Sequence, residues 1–218
     1  AERQRRTQRQ RCAQGQEALM HPNPLFRSDD RAALEALIAD TGFGMVFAAT
    51  PDGPRVAHVP LLSDGEGHIR FHLARSNALT KHLANETALI VVNGPDGYIS
   101  PRWYDDRNTV PTWDYVALEM EGPVARLEDD ALEDLLNAVI TKFEGGIEGE
   151  PWLASESGKE LWAGLFKGIV GFELTVEHWR PTFKLSQKRA PRELARISEG
   201  LAAAGNPALA ACYRGQHA

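Results

Sequence analysis

Three short segments carry residue types able to hold a charged or conjugated ligand. The first runs from Phe71 to Lys81 (FHLARSNALTK). It reads as a strand end, a small polar turn and a helix opening at Asn77. Free backbone N–H groups at a helix start favour an anion. Arg75 and Lys81 add positive charge, Ser76 and Asn77 add hydrogen bonds, and the set suits a terminal phosphate. The same pattern also describes a plain capped helix with surface charges. The second segment is Val110 to Val116 (VPTWDYV). Side chains alternate along a strand, so Trp113 and Tyr115 share a face. Two aromatic rings beside a phosphate pocket can flank a flat ring, and they equally suit a core or dimer interface. The third is Phe183 to Arg189 (FKLSQKR), where Lys184, Ser186 and Lys188 face one way if the chain is extended. Such a donor-rich strand end can hold the electronegative edge of a ring, or its phosphate. It also describes an edge strand guarded by lysines.

Other chemistries lack support. There is no G-x-G-x-x-G, P-loop, H-E-x-x-H, C-x-x-C or G-x-S-x-G. The seven histidines show no metal-site spacing, and His21 and His217 are terminal. His58 and His72 fall on neighbouring predicted strands and are the candidates that titrate near neutral pH. No residue stands out as a dedicated general acid or base, and no metal is expected. Cys12 and Cys212 lie at opposite ends and form no disulfide framework, which reads as a reduced, cytoplasmic protein.

The elements that must position these segments follow from periodicity and punctuation. Ser28-Asp29-Asp30 caps an amphipathic helix through Leu34, Leu37 and Ile38, ending near Thr41-Gly42. Gly44–Thr50, Arg55–Leu62 and His68–Ala74 read as three strands joined by the tight turns Pro51–Pro54 and Asp64–Gly67, an antiparallel meander. Asn77 caps a short helix through Leu79, His82 and Leu83. Thr87–Val92 is an apolar strand and Tyr98–Pro101 a short extended piece. Val110–Leu127 is the longest strand signal, with a bulge or bend at Gly122-Pro123. Asp129–Phe143 is an amphipathic helix, and residues 152–167 read as helical. Ile169–Trp179 and Pro181–Gln187 are extended, and Pro191–Ala204 is a helix with a shorter one after Pro207. Antiparallel strands with inserted helices point to a β-rich α+β barrel rather than a parallel doubly wound sheet.

The chain has 218 residues and a net charge of −6. That length fits one domain with tails, and no apolar run is long enough to span a membrane. Charge is uneven: residues 1–19 carry +3, residues 20–179 carry −14 and residues 180–218 carry +5. The acidic body argues against broad nucleic-acid binding, whereas the basic end suits a phosphate or a solvated helix face. Residues 1–19 read as a disordered extension, 20–204 as the folded domain and 205–218 as a tail.

Five motifs in order then resemble one family: Asn23-Pro24-x-Phe26, His72-Leu73-Ala74-Arg75-Ser76-Asn77, Gly97-Tyr98-Ile99-Ser100-Pro101-x-Trp103-Tyr104, Val110-Pro111-Thr112-Trp113-Asp114-Tyr115 and Lys184-Leu185-Ser186-Gln187-Lys188-Arg189. The chain is similar to the PaiB-type, FMN-binding negative transcriptional regulators over about residues 20–204. The resemblance implies an antiparallel split β-barrel with peripheral helices, related to pyridoxine-phosphate oxidases. It implies a homodimer with FMN between subunits. The turn holding His72, Leu73, Ala74, Arg75 and Asn77 would meet the phosphate with Lys81. His58, Val59 and Pro60 would lie along the ring. Trp113 and the segment with Lys184, Ser186, Gln187 and Lys188 would close it. Ala78, Leu79 and Leu62 depart from the oxidases, which carry basic residues nearby. Three activities stay open: flavin-dependent oxidoreduction, DNA-binding regulation through the basic Lys184–Arg196 end, and haem binding through His58, His72 or His178.

Overall fold

The computed structural model describes residues 21–214. The Arg- and Gln-rich residues 1–19, Cys12 and His217 lie outside the described residues. A 3₁₀ turn, Pro24–Phe26, precedes helix α1 (Arg31–Thr41), whose N-cap Asp30 accepts from the Ala33 N–H at 3.1 Å. Gly42 ends it at φ +61°, a left-handed conformation that glycine adopts without steric cost. Strands β1 (Phe43–Thr50), β2 (Gly53–Pro60), β3 (Leu62–Ser63) and β4 (His68–Ala74) form where expected, but not as a meander: β1 and β2 pair as a hairpin, whereas β4 pairs with β3 and β7 at the other end of the strand order. β5 (Thr87–Ile99) merges the two extended pieces read from the sequence, with a register shift between Asn93 and Asp96. β6 (Thr112–Arg126), α2 (Asp129–Glu144), α3 (Lys159–Phe166), β7 (Ile169–Thr175) and β8 (His178–Lys184) follow, then α4 (Pro191–Ala203) and α5 (Pro207–Arg214).

All ladders are antiparallel, in the order β2-β1-β5-β6-β7-β4-β3, with β8 also against β6. β2 also packs beside β4, so the sheet curls back on itself. β6 is the hinge of the architecture. Tyr115–Glu121 pairs with β8, and from Val124 onward the same strand pairs with β7. The sequence predicts a bulge or bend at Gly122-Pro123; the register with β5 runs unbroken through both residues, which lie at the change of partner. A Cβ on Gly122 would sit 1.8 Å from the Thr175 carbonyl oxygen, so only glycine allows the two backbones to approach there.

Alternation fills the barrel. Ile69, Phe71 and Leu73 of β4 point inward with Val46, Ile90, Leu118, Met120, Phe172 and Leu174, all buried. The Phe71 and Phe172 rings stack at 5.7 Å. α4 and α5 build a second core on the ends of β5 and β6, with Ile99, Tyr104, Val116, Leu185, Leu194, Ile197, Leu209 and Tyr213. The segment set apart as a tail therefore contains a packed helix from Pro207 to Arg214. Among the described residues no helix is long and apolar enough to cross a membrane.

One predicted element does not form. Residues 75–86 are successive turns rather than a helix. Asn77 Oδ1 accepts from the Leu79 N–H at 2.9 Å as a local turn, and the Thr80 and His82 N–H groups bond to the carbonyls of Asn77 and Leu79. Asn85, at φ +66°, then reverses the chain. Leu79 and Leu83 are both buried in the barrel core. Burying two leucines contributes several kcal/mol, about 1.5–3 each, more than one isolated helical turn could. Residues 152–167 are helical only at Ala154–Glu156 and Lys159–Phe166.

A candidate ligand site in two halves

The first half lies on the outer face of β2 and β4 and in the turn after β4. Ala57 and Val59 point into the core, which leaves His58 and Pro60 outside. On β4, Leu73 points inward, while His72 and Ala74 face outward beside β2. His72 is half-buried, and burial lowers its pKa, which holds the ring neutral near pH 7. The turn keeps its anion-binding character without a helix. Arg75 Nε and Nη2 donate to the carbonyls of Lys167 (2.9 Å) and Ile169 (3.0 Å), which pins the guanidinium where α3 meets β7. Thr80 Oγ1 closes the turn on the Ala74 carbonyl at 2.7 Å. Ser76, Ala78 and Lys81 are exposed, and the Ser76 and Ala78 N–H groups make no hydrogen bond among the described residues. A cluster of free amides beside two cations is the donor set a phosphate requires. Leu79, one departure from the oxidases, is 0% exposed and presents nothing to a ligand.

The second half lies where β6 begins and β8 ends. Trp113 is 53% exposed, so it is not a core residue. Its Nε1–H donates to Asp96 Oδ1 at 2.7 Å, and its ring meets Tyr98 edge-on at 6.5 Å. Tyr115 shares the outer face and is half-buried; burial first, and then Glu119, raises its pKa. Asp114 points the other way and is fully buried. Its Oδ2 accepts from Ser186 Oγ at 2.6 Å and from the Tyr213 hydroxyl. Burial, and then the bond to Asp114, pushes the Tyr213 phenol far above its ordinary value. Lys184 Nζ donates to Thr112 Oγ1 at 2.6 Å and to the Trp113 carbonyl, and stands 3.7 Å from Asp114 Oδ1. Gln187 folds back on its own strand, donating to the Phe183 carbonyl and accepting from the Leu185 N–H at 3.0 Å. Ser186 adopts φ +56°, which turns the chain after β8. A cleft of about 460 Å³ opens here, lined by Phe26, Tyr104, the 109–112 segment, Asp114, Lys184, the 186–189 segment and Glu193.

The structure thus brings His58–Pro60 together with His72–Lys81, and Trp113 together with Lys184–Lys188. It does not bring the two groups to each other. The ladder His58–Met45–Val91–Glu119–Arg180 places β2 four strands from β8. β4 reaches β6 through β7, but only at Val124–Arg126, the opposite end of that strand from Trp113. Sequence reasoning overlooked Asp114 as the hub of the second group. The available signal was alternation, which puts a carboxylate on the inward side between two outward aromatics. The basic end makes contacts of its own. Arg192 and Arg196 both clasp Asp105 at 2.5 Å, and Arg189 lies 3.6 Å over the Tyr104 ring.

Comparison with known proteins matches this architecture. Residues 20–178 match the family described as "Putative FMN-binding domain". The protease synthase and sporulation protein PAI 2 of Bacillus subtilis is 33% identical over 186 residues, covering 84% of this chain and 89% of that protein. An uncharacterized protein of Emericella nidulans, AN0679, is 25% identical over 71% of this chain and 79% of that one. Among solved structures, the FAD and heme binding protein of Mycobacterium smegmatis superposes with a TM-score of 0.57 at 18% identity, over 72% of each chain. The hypothetical protein Rv2991 of Mycobacterium tuberculosis gives 0.53 at 15% identity, over 75% of this chain and 90% of that one. These likenesses support the fold, an antiparallel split barrel with peripheral helices. With the profile match spanning most of the described barrel, and the Bacillus relative aligned along nearly its whole length, the chain belongs to the PaiB-type family of FMN-binding domains.

Proposed function

We infer that the protein is a homodimeric flavin-binding protein that holds FMN between two copies of the chain. The phosphate sits on the Arg75–Lys81 turn of one protomer, and the ring lies along His58, Pro60 and His72. Trp113 and the Lys184–Lys188 segment of the second protomer close over it. The observation that carries this reading is the separation of the two residue groups. Four ladders separate β2 from β8, and β4 reaches β6 through β7 only at the end away from Trp113, so within one chain each group is incomplete as a nucleotide site. A two-fold pairing unites each group with its complement. Exposed Tyr98, Trp113 and Val110 (74% exposed) supply apolar surface for that contact.

When bound, FMN supplies the one- and two-electron chemistry, and the protein supplies binding, orientation and electrostatics. The cations Arg75 and Lys81 balance the phosphate, and neutral His72 presents a polar but uncharged wall. A reduced cytoplasmic setting fits the half-buried Cys212 thiol, whose pKa burial raises. For the DNA-binding reading, Asp105 offsets one of the two charges of Arg192 and Arg196, and the net positive charge that is left is modest.

The test is complementation between two defective chains. Lys81→Glu damages the first half and Trp113→Ala the second. Each homodimer should retain little FMN by fluorescence quenching, whereas a mixed dimer should regain about one flavin per dimer, because one of its two sites is intact. A mixed dimer no better than its parents would refute the shared site, and a monomer in light scattering would remove it altogether.

A further inference from the structure

The cleft of the second half contains an atom that nothing in the fold explains. Asp114 is 0% exposed and lines the cleft, and its Oδ1 has no hydrogen-bond partner among the described residues. A buried carboxylate oxygen without a hydrogen bond is costly. The fold already provides two donors, Ser186 and Tyr213, but both serve Oδ2. They fix the carboxylate and leave Oδ1 at the buried wall of the cleft with an ion-pair partner but no donor. Beside it, 3.7 Å away, the Lys184 ammonium uses two of its three protons on Thr112 Oγ1 and the Trp113 carbonyl. One fixed acceptor and one fixed donor therefore sit next to each other, walled by Phe26, Tyr104, Val110 and Pro111.

We propose that this cleft recognises the lactam edge of a flat heterocycle: a ring N–H donates to Asp114 Oδ1 and the adjoining ring carbonyl accepts from Lys184 Nζ. The flavin pyrimidine ring has such an edge at N3–H and its neighbouring carbonyls, and so do free uracil-like rings. With the first source, the inference rests on the shared-site reading above and names the group that reads the flavin edge. With the second, it describes a separate site. Phe26, Tyr104, Val110 and Pro111 suit the ring faces, and the polar pair, among a largely polar remaining lining, provides the specificity. Lys188 at the rim adds a cation without competing for the edge.

The experiment compares FMN with 3-methyl-FMN, which lacks only the N3–H, in fluorescence titrations of the full chain. Uracil is the second probe, followed by thermal shift and by competition with FMN. If the edge is the flavin's, the wild type should prefer FMN over its 3-methyl form by about tenfold or more, the scale of a hydrogen bond to a charged group. Asp114→Asn puts an N–H where Oδ1 was and should reduce that preference to about twofold or less. Lys184→Met should weaken both flavins alike. If the site is separate, uracil should raise the melting temperature without displacing FMN, and Asp114→Asn should abolish the shift. Should Asp114→Asn fail to fold, the wild-type comparison and Lys184→Met still decide. Equal affinity for the two flavins together with no response to uracil overturns the proposal. Failure of the wild type to bind FMN, with uracil still binding, would instead remove the shared-site reading and leave this one standing.

Discussion

Gly122→Ala offers a severe test of how the split in the barrel is held. One methyl group is added on β6 where the strand changes partner. Its carbon would lie 1.8 Å from the Thr175 carbonyl oxygen and 2.9 Å from the carbonyl carbon, whereas ordinary contact begins near 3.4 Å. Both atoms are backbone, so no side chain can rotate aside, and the strands must part by about 1.6 Å. That movement stretches the Glu177 N–H bond to the Glu121 carbonyl, now 2.9 Å, and the pairing of Gly122 with Ala88. Overpacking costs about 1–3 kcal/mol and each lost hydrogen bond about 1 more, so the variant should lose about 3 kcal/mol. That is a large fraction of the 5–15 kcal/mol typical of a domain. Gly164→Ala makes the same chemical change in α3, where an added Cβ meets nothing within 4 Å. It should stabilise by about 0.5–1 kcal/mol through helix propensity. Urea unfolding followed by far-UV circular dichroism measures both. Opposite signs are expected. A Gly122→Ala protein within 0.5 kcal/mol of wild type would refute the argument that backbone proximity makes glycine obligatory there.

Three further outcomes are expected. Tyr213→Phe removes one of the two donors to Asp114 Oδ2 and should cost about 1–3 kcal/mol in urea unfolding, while Cys212→Ser next to it should cost much less; equal effects would deny the hub its role. Gly200→Ala would place a carbon 2.3 Å from the Trp103 indole, so it should shift the Trp103 fluorescence and lower the melting temperature, and an unchanged spectrum would contradict the packing. His72 has a lowered pKa because burial disfavours its cation, so the unfolded chain takes up the proton first. Stability should therefore be complete above the unfolded value near 6.5 and fall as the pH drops below it. His72→Gln should flatten that fall between pH 7 and 5, and an identical slope in the variant would show that His72 is not responsible.

The barrel was legible where a single rule governed the residues. Ile69, Phe71 and Leu73 alternate, and they are buried as alternation requires. Asp30 and Gly42 bracket α1 because each has a cap role that few residues fill. The turn after β4 misled because Asn77, Leu79 and Leu83 satisfy helix spacing, yet a chain of turns also points both leucines into the core, and tertiary burial decides between them. The ligand segments were legible as chemistry but not as one place, since only the strand order reveals that β2 and β8 stand four ladders apart. Asp114 was hidden between two aromatics, and its partner Tyr213 lies 99 positions away, in a short helix that the sequence announces without saying which strand it meets.

That distance along the chain has a bearing on biogenesis. During translation β6 leaves the ribosome long before α5, so Asp114 waits through the synthesis of 99 residues with an incomplete set of donors. A nascent polypeptide interrupted before α5 would already possess every strand of the barrel and the whole turn after β4. It would lack the latch that orients its carboxylate, and the cleft would mature only in the final steps of synthesis.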